Sequence, residues 1–158
     1  MQNDFCAKGG MFDRAGLDLA PIQRAVLPTK RVIAAARRTK LPVVYLKMAH
    51  LPDLSDTGWE HSPHWFRHKR LAVGQEVTAP DGRQSRILND GTWNTDIIPE
   101  LAPLPNVMVV RKHRYSGFYG TDLDDRLRSI GANFLVVTGC TTSVCVESTI
   151  RDAMFRYQ

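Results

Sequence analysis

Short apolar runs of β-forming residues alternate with helical patterns along this chain of 158 residues. Each run is too short for a helix and apolar on both faces, which is typical of strands inside a parallel sheet. The runs are LPVVYLKM (41–48), NVMVV (106–110) and NFLVV (133–137). Apolar residues recur at helical spacing from Leu19 to Lys40, and the segments 121–132 and 143–157 also predict helices. This order predicts an α/β fold with a parallel sheet.

Three features interrupt the regular alternation. Pro28 lies inside the first helical pattern and marks a helix start or a kink. Residues 49–95 are rich in Pro and Gly with little periodicity, so they predict a long irregular excursion, a kind of segment that is commonly functional. MQNDF follows no strand, and no strand follows the last helix. We expect a single domain over 1–158, a fragment that is truncated at both ends and lacks the first strand.

Composition excludes several classes of protein. No apolar run approaches the roughly 18 residues of a membrane span, and no basic segment followed by an apolar one indicates secretion. The formal net charge is +5, but the basic residues are spread along the chain apart from FRHKR (66–70) and RKHR (111–114). A nucleic-acid surface concentrates such residues on one face. We therefore expect a cytoplasmic protein with no membrane or nucleic-acid partner and with reduced cysteines.

Polar residues that could take part in catalysis follow two of the predicted strands. Lys112 comes just after NVMVV, and the loop TGCTTSVC (138–145) comes just after NFLVV. Ligands of parallel α/β sheets bind beyond the carboxyl ends of the strands. A thiolate in the first turn of a helix is stabilised by free backbone N–H groups, and a nearby ammonium stabilises it further. Cys145 is therefore a candidate nucleophile, although taken alone it also fits a small packed residue.

The spacing of Cys140 and Cys145, C-x4-C, leaves two other interpretations to consider. A thiol redox pair remains an alternative, and it predicts a reversible disulfide under mild oxidation. A zinc site is not predicted, because there is neither a second cysteine pair nor a suitable histidine spacing.

Three motifs together give the sequence a family resemblance. In chain order they are MQNDF (1–5), RKHRYSGFYGTDLD (111–124) and VVTGCTTSVCVESTIRDA (136–153). They resemble the isochorismatase-like cysteine hydrolases over essentially the whole chain, and TGCTTSVCVEST with RYSGF is most similar to the ureidoacrylate amidohydrolase branch. The resemblance implies a three-layer αβα sandwich with a mostly parallel, Rossmann-like sheet.

The resemblance also implies roles for particular residues. Cys145 matches the nucleophile and Lys112 the catalytic lysine of the family. The bond between Cys140 and Thr141 matches a non-proline cis peptide that turns the Thr141 N–H toward the substrate, so that Thr141 and Cys145 form the oxyanion hole. The remaining matches are substrate contacts, at Phe5, Tyr115 and Ser116, with Trp65 as a further candidate for the pocket.

Two elements of the family pattern do not carry over. The general-base aspartate of the family would stand immediately before Met1, and Asp4 is not a substitute because it points elsewhere in relatives. Nicotinamidases of this family bind metal through an Asp-x-His pair, which the stretch KMAHLPDLSD (47–56) lacks. His50, His61, His64 and His68 are scattered without that pattern. We therefore expect no metal and no cofactor.

The resulting functional prediction is a cysteine-dependent amidohydrolase that cleaves a C–N bond of a small ureido or amide compound through a thioester. Biuret, N-carbamoyl amino acids and other amides are alternative substrates. A catalytically degenerate binding or assembly subunit is the alternative from a different class. Relatives commonly form dimers or tetramers, so a homo-oligomer is expected.

Overall fold

A parallel pair of strands lies at the centre of the computed structural model, which describes residues 1–156. Strand β1 (Val44–Met48) pairs with strand β4 (Met108–Lys112), and Met48 is the register partner of Lys112. Both strands were predicted from their apolar runs, and the structure confirms them with starts shifted by two or three residues. The carboxyl ends of the two strands therefore lie side by side.

Seven helices and a small hairpin complete the fold. The helices are α1 (Asn3–Cys6), α2 (Met11–Arg14), α3 (Ala20–Arg24), α4 (Val26–Arg38), α5 (Pro63–Arg70), α6 (Leu123–Ser129) and α7 (Glu147–Met154). Short 3₁₀ turns span Trp93–Thr95 and Pro99–Leu101, and a π-helical turn spans Thr142–Val146. Strands β2 (Glu76–Thr78) and β3 (Gln84–Arg86) form an antiparallel hairpin. Within residues 1–156, every helix is too short or too polar to cross a bilayer.

Helices cover both faces of the central strands. One face packs against α6 and α7 in a cluster that includes Val110, Leu123, Leu127 and Ala153. On the other face, the Tyr45 hydroxyl donates to the carbonyl of Leu101 at 2.9 Å and accepts from Arg37 of α4 at 3.4 Å. The layered α/β architecture with a parallel sheet is therefore confirmed.

The first helical pattern divides into two helices close to Pro28. Helix α3 ends at Arg24 and α4 begins at Val26, so Pro28 lies in the first turn of α4. Proline has no N–H to donate to a carbonyl one turn earlier, whereas the first turn of a helix requires no such donor. The prediction that Pro28 marks a helix start is therefore confirmed.

The segment 49–95 is more ordered than the predicted irregular excursion. It contains helix α5 and the β2–β3 hairpin. The start of α5 has a sequence signal that we did not use: the Ser62 hydroxyl accepts from the Trp65 N–H at 3.1 Å, and Pro63 occupies the first helical position. The hairpin turn likewise contains a Pro-Asp-Gly sequence at 80–82.

The predicted strand at 133–137 forms no ladder with any other segment of residues 1–156. Its exposure nevertheless alternates as in a strand: Phe134 is 88% and Val136 is 86% exposed, whereas Leu135 packs against the α6 cluster. The prediction of a paired strand is wrong for the described residues, because a strand needs a neighbour for its backbone groups. The Thr138 hydroxyl instead hydrogen-bonds the Thr29 hydroxyl of α4 at 2.9 Å.

The predicted closing helix, 143–157, is shorter at both ends. The π-helical turn Thr142–Val146 precedes α7, so Cys145 lies before the α-helix rather than in its first turn. Residue 157 lies outside the described residues. π-helical turns are frequent at functional sites, and this one determines the local placement of Cys145.

Gln2 fastens the N-terminal segment to the end of β1. Its side-chain nitrogen donates to the carbonyls of Met48 at 2.7 Å and Thr95 at 3.0 Å, and its side-chain oxygen accepts from the Met48 N–H at 2.8 Å. Gln2 is 2% exposed, so these bonds are shielded from water. The side chain therefore replaces a strand neighbour at the last residue of β1.

We expect Gln2→Ala to lower the free energy of unfolding by about 2–4 kcal/mol, because buried backbone groups of Met48 and Thr95 lose their partners. Urea denaturation followed by tryptophan fluorescence measures this change. Gln84→Ala, at an exposed position of β3, is the matched control and should change stability by less than about 0.5 kcal/mol. Equal effects of the two substitutions would contradict the role assigned to Gln2.

Candidate functional site

Lys112 ends strand β4 with its ammonium group inside the protein. The side chain is 3% exposed, and Nζ donates to the carbonyls of Arg114 at 2.9 Å and Tyr115 at 3.0 Å. Burial lowers the pKa of Lys112, while the neighbouring thiols of Cys145 and Cys140 act in the opposite direction through charge, and Cys145 also through a hydrogen bond. Lys112 is therefore a desolvated cation that faces Cys145.

The π-helical turn holds Cys145 through bonds on both sides. The N–H groups of Val144 and Val146 each donate to the Thr141 carbonyl at 3.2 Å. The Thr149 hydroxyl donates to the Cys145 carbonyl at 2.7 Å and accepts from the Gly117 N–H at 3.0 Å. Sequence reasoning missed Thr149, although a Thr four residues after a candidate nucleophile is a recognisable signal for such a bond.

The peptide bond joining Cys140 to Thr141 is cis, the conformation that the family resemblance implies. The Cys140 thiol accepts a hydrogen bond from the buried Cys6 thiol, which lowers the pKa of Cys140 and raises that of Cys6. All three cysteines are free. The thiol partner of Cys140 is thus Cys6 of helix α1.

Tyr115 and Ser116 follow Lys112 on the loop beyond β4. Besides its carbonyl bond to Lys112, Tyr115 places its ring 5.1 Å from that of His64, and burial raises its pKa. The buried Ser116 hydroxyl accepts from the Phe118 N–H at 3.1 Å. Both residues line an open depression of about 480 Å³. Its other lining residues are Arg114, Tyr119, Ser148, Arg151 and Asp152.

The two remaining aromatic candidates make their ring contacts elsewhere. The Phe5 ring meets that of Phe12 edge-on at 5.2 Å, in a cluster that includes Met48. Trp65 contacts His61 and Phe66, and the Lys69 ammonium lies 4.8 Å from its ring centre. None of these ring contacts involves Lys112 or Cys145. The structure therefore brings Tyr115 to the lysine directly. Phe5 packs in two clusters, one with Met48, whose sulfur accepts from Lys112 Nζ at 3.7 Å, and one with Cys140.

Asp4 is a buried carboxylate that accepts hydrogen bonds from neighbouring segments and is not accessible as a general base. Its carboxylate accepts from the N–H groups of Met11 at 2.9 Å and Leu88 at 2.7 Å, and from the side-chain amide of Asn94. Burial raises the pKa of Asp4 to about 6, against the opposing effect of these bonds. The side chain is fully buried, so it is not available to a substrate.

Three histidines form a second cluster close to this site. His50 follows β1, and His64 and His68 lie on helix α5; one ring nitrogen of each lies within 4.8 Å of the others. His50 also contacts the carboxylate of Asp56, which pairs with Arg111. Among residues 1–156, these are the side chains whose geometry suits a metal ion.

A family model described as the isochorismatase domain matches residues 1–156. Among curated proteins, the ureidoacrylate amidohydrolase RutB of Methylorubrum extorquens strain DM4 is 41% identical over 99% of this chain and 62% of its own length. RutB of Serratia proteamaculans strain 568 is 38% identical over 98% of this chain and 61% of its own length. The chain thus spans about three-fifths of these relatives.

Solved structures give the same family. A cysteine hydrolase from Pseudomonas syringae pv. phaseolicola 1448A superposes with a TM-score of 0.77 at 31% identity, covering 99% of this chain and 63% of that one. N-carbamoylsarcosine amidase from Thermoplasma acidophilum gives 0.67 at 31% identity, covering 100% and 74%. The fold is therefore that of known C–N hydrolases and their relatives.

The burial of Asp4 predicts a pH dependence of stability. Its folded pKa of about 6 lies above the ordinary value of 3.8, so its favourable contribution is complete below about pH 4 and is lost as the pH rises through 6. A shift of about 2 units corresponds to roughly 3 kcal/mol. We expect the difference in unfolding free energy between wild type and Asp4→Asn to fall by this amount from pH 4 to pH 7.

Urea titrations of both proteins at unit pH steps measure this difference. Asp81→Asn is the control for loss of one carboxylate, and any effect there should have the opposite sign because Arg83 holds the pKa of Asp81 below its usual range. A difference that stays constant with pH would contradict the role of Asp4.

Proposed function

This chain belongs to the isochorismatase family, and from that we propose that it is the catalytic core of a C–N hydrolase with Cys145 as nucleophile. The substrate class is a small ureido or amide compound of the ureidoacrylate kind. The observation that carries the proposal is the desolvated Lys112 ammonium facing Cys145, at the carboxyl ends of two parallel strands.

The surroundings of Lys112 support a role in stabilising negative charge. A buried ammonium loses its hydration, and the carbonyls of Arg114 and Tyr115 replace only part of it. Negative charge that develops on the Cys145 sulfur during the reaction supplies the missing counter-charge. The lysine thereby stabilises the attacking sulfur and the transition state of the attack.

The proposed reaction has two stages. The Cys145 thiolate attacks the carbonyl carbon, and the backbone N–H groups of Thr141 and Cys145 stabilise the oxyanion of the tetrahedral intermediate. Collapse expels the amine, which takes up a proton, and leaves a thioester. Water then adds to the thioester and releases the acid and the thiol. With a ureido substrate the acid is a carbamate, which decomposes to ammonia and carbon dioxide.

The base that removes the Cys145 proton is not assigned to a described residue. The family resemblance implies an aspartate as this base. Asp4 is excluded from this role by its full burial and its hydrogen bonds to Met11, Leu88 and Asn94. Lys112 stabilises the thiolate once it is formed.

The depression beside Tyr115 and Ser116 suits an anionic substrate. Arg114 and Arg151 line it together with one carboxylate, Asp152. Arg151 pairs with Glu147 at 2.6 Å, whereas Arg114 donates only to carbonyls, so its positive charge remains to attract a substrate carboxylate. Ser148, three residues after Cys145, also lines it and thereby connects the depression to the nucleophile turn. This favours ureidoacrylate over the uncharged biuret. Phe5 and Trp65 remain predictions as substrate contacts.

We expect Cys145→Ala and Cys145→Ser each to lower turnover by at least about a thousandfold, because the covalent stage is lost. Ammonia release from ureidoacrylate, N-carbamoyl amino acids, biuret and nicotinamide measures it. Ser129→Ala, at an exposed position of α6, is the control for loss of a small polar side chain and should retain activity. Undiminished hydrolysis by Cys145→Ala would refute the assignment. Substrate binding by the wild type without hydrolysis would instead favour a degenerate binding subunit.

Lys112→Met tests the charge pairing independently of any substrate. Methionine keeps the length and apolar character of the side chain but removes the ammonium. We expect the alkylation rate of Cys145 by iodoacetamide at pH 7 to fall by about tenfold or more, because the ammonium no longer stabilises the negative charge on the attacking sulfur. Peptide mass spectrometry assigns the alkylated cysteine. Lys47→Met, which removes a partly exposed ammonium from β1, should leave the rate unchanged.

A further inference from the structure

Three histidines that the proposed hydrolysis does not use converge behind Tyr115. His50 lies two residues after β1, and His64 and His68 are four residues apart on α5 and therefore share one face of the helix. The ring centres of His64 and His68 are 3.9 Å apart, and those of His50 and His68 are 4.7 Å apart. His50 is 0% and His68 6% exposed.

Each ring presents a buried nitrogen with no hydrogen-bond partner among residues 1–156. These atoms are Nε2 of His50, Nε2 of His64 and Nδ1 of His68. Buried polar atoms are nearly always satisfied, and an unsatisfied one costs about 1–3 kcal/mol. Three such atoms within one small cluster indicate a ligand that satisfies them together.

The partners of the other ring nitrogens show which atoms hold lone pairs. Nδ1 of His50 lies 3.0 Å from the Asp56 carboxylate, which only accepts, so Nδ1 carries the proton and Nε2 carries the lone pair. The His64 ring bonds the backbone of His113, which leaves its Nε2 as the acceptor as well. Two lone pairs that face a common buried space call for a cation.

We propose that His50, His64 and His68 bind a divalent transition-metal ion, with zinc as the best fit. Imidazole nitrogens suit zinc, cobalt, nickel and copper, whereas magnesium and calcium take oxygen ligands. Three protein ligands leave a fourth tetrahedral position open to water. The sequence predicts no metal because the Asp-x-His pair is missing, whereas the fold assembles a different ligand set.

The distances require only a small adjustment. A point equidistant from three atoms that are 4.8 Å apart lies about 2.8 Å from each, whereas zinc–nitrogen bonds measure about 2.0–2.1 Å. Each ring therefore moves inward by roughly 0.7 Å, a shift that side-chain rotation supplies. Burial lowers the pKa of His64 to about 4 and of His68 to about 3, so the rings are uncharged ligands at neutral pH.

Some neighbouring groups favour a bound cation, and one neighbouring positive charge opposes it. Asp56 orients His50 as a carboxylate typically orients a metal-binding histidine, and Arg111 and the Leu51 N–H fix Asp56 in turn. The positive charge of Arg114 acts on all three histidines and opposes a second cation. The Arg114 guanidinium is engaged by the carbonyls of Asp56 and His113, which holds it in place beside the cluster.

The ion would tie helix α5 to the chain just after β1, close to Tyr115. The Tyr115 carbonyl accepts from Lys112, while its ring lies 5.1 Å from His64. The proposal does not depend on the nucleophile assignment, because none of the three ligands touches Cys145 in any contact described above.

The purified chain, stripped with chelator and then titrated with Zn²⁺ and with Co²⁺, tests the proposal. We expect one ion per chain by mass spectrometry, a rise in melting temperature with Zn²⁺, and X-ray absorption showing nitrogen and oxygen ligands only. Sulfur ligation, which would place the ion at Cys6, Cys140 or Cys145, would overturn the proposal, as would an unchanged melting temperature with less than about 0.1 ion per chain.

Substitutions identify the ligands. Because each removes one of three ligands, we expect His64→Asn and His68→Asn to weaken zinc binding roughly a hundredfold or more in competition with a chromophoric chelator. His61→Asn, at an exposed histidine just before α5, is the matched control and should bind as the wild type does. Circular dichroism establishes that each variant is folded. Wild-type affinity in a folded His64→Asn/His68→Asn double variant would refute the ligand assignment.

Discussion

The rest of the structure depends on two buried polar side chains of the N-terminal segment. Gln2 saturates both backbone groups of Met48, and Asp4 binds the N–H groups of Met11 and Leu88. Leu88 in turn accepts from the His50 N–H at 2.8 Å. One short segment thus determines where β1 ends and where the chain after it turns. The side chains of the candidate functional site lie at this same end of the central strands.

Burying a charged side chain is unfavourable, and the neighbours of Asp4 and of Lys112 reduce this cost in different ways. Burial raises the pKa of Asp4 to about 6, although three hydrogen-bond donors and the charge of Arg14 act in the opposite direction. Lys112 is compensated by carbonyls and thiols, and burial still lowers its pKa. In both residues the neutral form is favoured by desolvation. The two groups differ in what they face, because Asp4 is enclosed by protein donors whereas Lys112 faces a cysteine that can ionise.

The two central strands, the helices α3, α4, α6 and α7, and the residues around Lys112 were predictable because they leave local signals, whereas α1, α2, α5 and the hairpin were not predicted. Apolar runs at 41–48 and 106–110 predict β1 and β4, and the loop after a parallel strand is the usual place for chemistry. The pairing of 133–137 was not predictable from the run itself, since a strand needs a neighbour that lies elsewhere in the chain. The histidine cluster was also missed, because His50 and His64 are 14 positions apart and only the packing of α5 brings them together.

The loop from His113 to Ser116 connects the proposed nucleophile, Cys145, to the histidine cluster. The Lys112 ammonium donates to the carbonyls of Arg114 and Tyr115 in this loop. The Arg114 guanidinium in turn donates to the carbonyl of Asp56. Asp56 also orients His50, so a displacement of this loop changes both the position of the ammonium facing Cys145 and the carboxylate behind the cluster. An ion on the three histidines would fix α5 and, through Tyr115, restrict the loop that holds Lys112. Ordering the loop before substrate arrives lowers the entropic cost of forming the reactive geometry.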